Sequence, residues 1–232
     1  MRQSDNQRKM RTIYYLVDTG KQMAGDKIGA MNSAMEEAIT VDLPDIASSL
    51  GEDIEDIKVA VIHFSDGASW ITESGAVYIG DVIWNDLHAS GANDFGCALR
   101  VLAEDLQKFN FNIHNEPIII VFSNAPVTDS YMEPLEELER YECFQNSLRV
   151  GIAIGGDADK NVLTTFTGAS ECVIEVNDKH SLKELIEKYI GRQRGADMID
   201  LKSILKQYPN CLNSRASFKS VLMDNYPSKR CC

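Results

Sequence analysis

The chain has 232 residues, 44% hydrophobic and 25% charged, a composition that suits a globular protein with one sizeable core. Its formal net charge of -12 disfavours nucleic acid and anionic membrane as partners, and no apolar run approaches the roughly 20 residues a membrane span needs. Six scattered cysteines without a CxxC pair, and a polar opening from Met1 to Thr12, lead us to expect a cytoplasmic protein without disulfides.

Residues 12–17 predict a strand buried on both faces, because the run into Leu16-Val17 is apolar almost throughout. Residues 26–50 then predict a helix, with Ile28, Met31, Met35, Ile39 and Leu43 three or four apart and Pro44 as a kink or stop. Ile57 to Phe64 is a second buried strand. Asp66-Gly67 turns it into an antiparallel edge hairpin at Ala68 to Thr72. Residues 94–109 form a strong amphipathic helix on Phe95, Leu99, Leu102, Leu106 and Phe109. Ile118 to Phe122 is a third strand, and residues 130–146 are an acidic helix. Val150 to Ile154 is a fourth strand, closed by Gly155-Gly156. A short helix at 159–166, a strand at Cys172 to Val176 and a helix at Ser181 to Tyr189 complete the pattern.

Strands alternating with helices predict an α/β fold. It is a doubly wound, mostly parallel six-stranded sheet with helices on both faces and a short helical C-terminal extension. The division is a flexible N-terminus at 1–10, the α/β domain at 11–190, and the extension at 191–232. Residues 201–232 of the extension are basic, with six Lys and Arg residues against the single Asp224, so the rest of the chain is more acidic than the net charge suggests. In such sheets ligands bind beyond the carboxyl ends of the strands, where strand order reverses. The loops after Val17, after Phe64 and after Phe122, and the start of the helix at Asn93, are therefore the places to look for a site.

Three stretches meet there. The first is Asp18-Thr19-Gly20-Lys21-Gln22. The second is Gly91-Ala92-Asn93-Asp94-Phe95-Gly96. The third is Ser123-Asn124-Ala125-Pro126-Val127-Thr128-Asp129. Their order and spacing resemble a von Willebrand factor A domain, most of all the small stand-alone bacterial proteins of the TerY type associated with tellurium resistance and stress response. The late segment Ile152 to Asp159 and Leu163 to Gly168 is similar to that family too, and the resemblance runs from about residue 11 to residue 190.

The resemblance implies a metal-ion-dependent adhesion site (MIDAS). Its pattern is DxSxS in the first loop, a threonine in GGT before the helix, and an aspartate in a [ST]DG turn, together holding Mg²⁺ for a partner carboxylate. Asp18 matches the first aspartate. Gly20 and Gln22 stand where the two serines belong, Asn93 where the threonine belongs, and Asn124 where the second aspartate belongs. One carboxylate and no ligating hydroxyl remain, so the site is expected to be degenerate, with Asp18 accepting backbone N–H bonds from the neighbouring loops. Any metal would rest on Asp18 with Gln22, Asn93 and Asn124. Restoring the pattern by Gly20→Ser, Gln22→Ser, Asn93→Thr and Asn124→Asp is expected to restore cation binding if the loops keep the family geometry.

The expected function is a non-enzymatic interaction module. It would bind a protein partner through the rim formed by Asp18, Gly20, Gln22, Asn93 and Asn124, with Thr128 and Asp129 beside them. The resemblance implies a kinase-like or phosphatase protein as that partner. A Mg²⁺-dependent binder is the alternative, and a hydrolase or phosphatase a remote third, since Ser65 and Ser123 have no His and acid at recognisable spacing.

Overall fold

The computed structural model describes residues 11–45, 57–109, 116–124 and 126–176. The expected helix at 181–189, the extension at 191–232 and the N-terminal stretch 1–10 lie outside the described residues, as does Ala125. One sheet runs through the described chain. Its strands are β1 (Arg11–Asp18), β2 (Ile57–Ser65), β3 (Gly67–Trp70), β4 (Val77–Tyr78), β5 (Ile118–Ser123), β6 (Leu148–Ile154) and β7 (Val173–Val176). The lateral order is β3-β2-β1-β5-β6-β7. All neighbours pair in parallel except β3 and the two-residue β4, which run antiparallel to β2 along the same edge. The six expected strands are present, and β4 is a short seventh.

Strand order reverses between β1 and β5, so the crevice of this sheet opens where Asp18 meets Ser123. Alternation along β1 divides the core between the two faces. Ile13, Tyr15 and Val17 pack with Met31, Met35 and Ile39, which belong to helix α1 (Asp26–Glu37) and its continuation. Tyr14 and Leu16 pack on the other face with Leu99 and Leu102 of α2 (Phe95–Leu106). That face also takes Leu135 of α3 (Met132–Leu138), Phe144 of α4 (Glu142–Gln145) and Phe166 of α5 (Lys160–Thr167). Side chains of this size contribute about 1.5–3 kcal/mol each when fully buried, so β1 alone anchors both layers.

Two helices differ from the sequence expectation. The 26–50 helix is regular only to Glu37. It then widens into a π-helical turn at Ala38–Asp42, where the Leu43 N–H reaches the Ala38 carbonyl five residues back. Pro44 has no N–H to offer the Thr40 carbonyl, so a regular ladder cannot pass through this point. The 130–146 helix is two short helices with a turn at Glu139 to Tyr141. Leu138 and Phe144 are both fully buried but six residues apart, a spacing that one straight helix would not turn to the same face. The turn also brings Glu139 to the buried Arg149, whose guanidinium stacks over the Phe144 ring.

Cys97 and Cys143 are free thiols. Cys172 is half of a disulfide, against the reduced state expected from composition.

Candidate functional site

The rim is assembled by backbone contacts before any side chain is considered. The Thr19 N–H donates to the Phe64 carbonyl at the end of β2, and the Thr19 carbonyl accepts from Ser90. Lys21 N–H donates to Gly91, Asp94 N–H to Ser65, and Thr128 N–H to Asn93. Asp66, in the tight turn before Gly67 (φ 86°), accepts from Ala92 N–H at 2.9 Å and so ties the hairpin to the second loop. Further back, the buried Asn32 side chain both donates to and accepts from Leu87, pinning the approach to that loop.

Asp18 stands at the centre and is fully buried. One carboxylate oxygen accepts from Gly20 N–H at 2.7 Å. The other accepts from the Asn93 amide at 2.8 Å, the Ser123 hydroxyl at 3.1 Å and Asn124 N–H at 3.2 Å. The expected backbone bonds from the neighbouring loops are thus present, and Ser123 is a partner the sequence reading missed. Burial pushes the Asp18 carboxyl above the usual aspartate range. The Gly20, Asn124 and Ser123 bonds and the positive charge of Lys27 pull it back.

Gly20 is needed for its lack of a side chain. A Cβ there would lie 2.2 Å from the Ala92 carbonyl oxygen and 3.0 Å from Asp18 Oδ1. Its backbone is ordinary and extended (φ -61°, ψ 161°), so close approach rather than conformation selects glycine. Gln22 sends its side chain to solvent and brings its main-chain carbonyl to the rim instead. Asn124 is buried. Its amide is oriented with the nitrogen donating to that Gln22 carbonyl at 3.1 Å and the oxygen accepting from the Lys27 ammonium. Lys27 was not singled out from the sequence. The available signal was a basic residue in the first turn of a helix, where the macrodipole disfavours it.

Thr128 and Asp129 hold the second and third loops together. The Thr128 hydroxyl accepts from Asn93 N–H at 2.9 Å and donates to Asp94 at 2.8 Å. Asp129 accepts from Gly96 and Cys97 N–H at 2.8 and 2.9 Å, capping α2 from another loop because the residue at the cap position, Asp94, makes no side-chain capping bond. Asp129→Ala should therefore cost about 1–2 kcal/mol, the usual worth of a capping acid at a helix start. Urea denaturation of the variant checks this, and an unchanged midpoint would contradict the capping role.

His63 lies against Thr19, with Nε2 at 2.7 Å from the Ser69 hydroxyl and Nδ1 at 3.3 Å from the Thr19 hydroxyl. The Thr19 hydroxyl donates to the Phe64 carbonyl at 3.1 Å, so it accepts from Nδ1–H, and Nε2 accepts from Ser69. This tautomer suits a neutral ring, and burial pushes the imidazole below its ordinary value of 6.5. The unfolded chain then binds the proton more readily. The contribution of His63 to stability is fully present above about pH 6.5 and lost as pH falls through the depressed folded value. Wild type should lose more stability than His63→Gln between about pH 7.5 and pH 5; parallel denaturant midpoints across that range would count against it. Trp70 and Trp84 are half-buried and pack against the two core layers.

The donor set does not suit a divalent cation. Both Asp18 oxygens already accept hydrogen bonds, Gly20 supplies no ligand, and Asn124 faces an ammonium. Among the described residues no three His, Cys, Asp or Glu side chains lie together in a metal-binding group. No protein-family model matches the chain, and neither does any curated protein sequence. Solved structures do. Proximal thread matrix protein 1 from the mussel byssus is similar at 16% identity and TM-score 0.55, over 78% of this chain and 47% of its own. The ArnB paralog VWA2 from Sulfolobus acidocaldarius aligns at 16% identity and TM-score 0.55, over 77% and 44%. The fold is that of a von Willebrand factor A domain. The pilus adhesin SpaC from Lactobacillus rhamnosus GG is also similar, at 11% identity and TM-score 0.61, over 86% of this chain and 31% of its own. The chain spans less than half the length of each of these three proteins. The mussel protein has also been solved with a zinc-occupied MIDAS motif, a contrast with the saturated carboxylate found here.

Proposed function

We propose that this chain is a non-enzymatic interaction module, a von Willebrand A-like adaptor that binds a protein partner through the loop rim without a strong metal site. One observation carries this: four internal donors, three of them on one oxygen, commit the Asp18 carboxylate to holding the loops together. The resemblance of the three loops to TerY-type proteins supports a cytoplasmic bacterial stress-response or defence setting, with a kinase-like or phosphatase protein as partner. The pilus adhesin among the similar structures supports a binding role. The Ser–His pair nearest the rim, Ser69 with His63, has Thr19 rather than a carboxylate behind the imidazole, which favours a binding module over a hydrolase.

Calorimetry with Mg²⁺, Mn²⁺ and Ca²⁺, paired with an affinity pull-down from native lysate with and without EDTA, tests the proposal. The expected outcome is no cation binding tighter than about millimolar and the same captured partner in both lysates. Tighter binding that disappears in Asp18→Ala, or capture abolished by EDTA, would establish the metal-dependent binder instead.

A further inference from the structure

The position of Lys27 is the least expected feature of the rim. Its ammonium donates to the Asn124 side-chain oxygen and lies 3.5 Å from the Gln22 carbonyl, so it rests on residues from two of the five pattern positions. Gly155 (φ 79°) comes close on another side: a Cβ there would lie 3.4 Å from Nζ. Every group it touches is neutral. No carboxylate among the described residues lies within ion-pair distance of it, in a protein with 35 acidic residues against 23 basic ones. The placement also opposes local electrostatics, since Lys27 is the second residue of α1 and faces the positive end of its dipole. A lysine held against that field, on neutral oxygen acceptors and beside a buried aspartate, is placed as a cation would be.

We infer that the Lys27 ammonium takes the place of the divalent cation on this rim and, together with the internal hydrogen bonds on Asp18, keeps metal out of it. This rests on the proposed metal-independent function and explains its physical origin. A bound cation and an ammonium cannot share the oxygens of Asn124 and Gln22, and like charges a few ångströms apart repel. The site is degenerate in its ligands, but its positive charge is retained in covalent form.

The test uses the full chain and Mn²⁺, in three variants. Asn124→Asp restores the second carboxylate with Lys27 in place and should bind Mn²⁺ no better than wild type, because the ammonium pairs with the new acid. Asn124→Asp combined with Lys27→Ala should bind at least about tenfold more tightly, a difference of about 1.4 kcal/mol. Equal affinity in these two proteins, or no binding by either, would overturn the inference while leaving the proposed function untouched. Millimolar or tighter binding by wild type would overturn both. Lys27→Ala alone guards against a double variant that does not fold: Mn²⁺ should raise its melting temperature and leave that of wild type unchanged, and an equal response in both would also refute the role given to Lys27.

Discussion

Replacing Asp18 by alanine should cost about 3–5 kcal/mol. Two backbone N–H groups, the Asn93 amide and the Ser123 hydroxyl would all lose their acceptor inside a buried site. A buried donor left without a partner costs about 1–3 kcal/mol. The sum is reduced because removing a buried carboxylate also removes its desolvation cost. Asp18→Asn should fall between alanine and wild type: its oxygen serves some of these donors, but its NH₂ must face the others. Equilibrium urea denaturation measures both. A loss under about 1 kcal/mol for the alanine variant would mean the carboxylate is not the organising acceptor of the rim.

The second large effect is expected at Gly20. Gly20→Ala places a carbon 2.2 Å from the Ala92 carbonyl oxygen, and neither side can yield easily. Ala92 is held by Asp66, and Gly91 by the Lys21 N–H. Gly20 N–H is itself bound to Asp18. Forcing these loops apart should cost about 2–4 kcal/mol, in the range of overpacking and buried-network losses, with a matching fall in thermal midpoint. A stability equal to wild type would show that the two loops separate freely. The same clash bears on rebuilding the adhesion motif. Gly20→Ser carries the same Cβ, so the four-residue restoration is expected to fail on this backbone.

Much of the fold was legible because its strands are long uninterrupted apolar runs, and such runs between glycine-rich turns have few other uses. Pro44 marked a break in the first helix, though not the π-helical turn before it, and the acidic helix was misread because the spacing of Leu138 and Phe144 breaks it in two. At the site, the sequence reading identified Asp18 and the substituted positions, since motif order survives substitution. It could not say that Gln22 would contribute a main-chain carbonyl while its amide points to solvent. Nor did it anticipate Ser123 or Lys27, whose parts in the rim depend on which way a side chain turns in three dimensions. Thr128 and Asp129 were read as binding residues, and the structure gives them a tethering and capping geometry that the sequence spacing does not encode.

The strand order also matters to the chain as it leaves the ribosome. β1 is made well before Ile118–Ser123, yet it needs that strand along its second edge. Until then a nascent chain carries an apolar strand with one open row of N–H and C=O groups, a ready template for wrong pairing. Asp18 waits as well, because Ser123 and Asn124 arrive only with β5. The rim is therefore completed only when β5 joins the sheet, and a translation pause before residue 118 would prolong the interval in which that edge of β1 stands open.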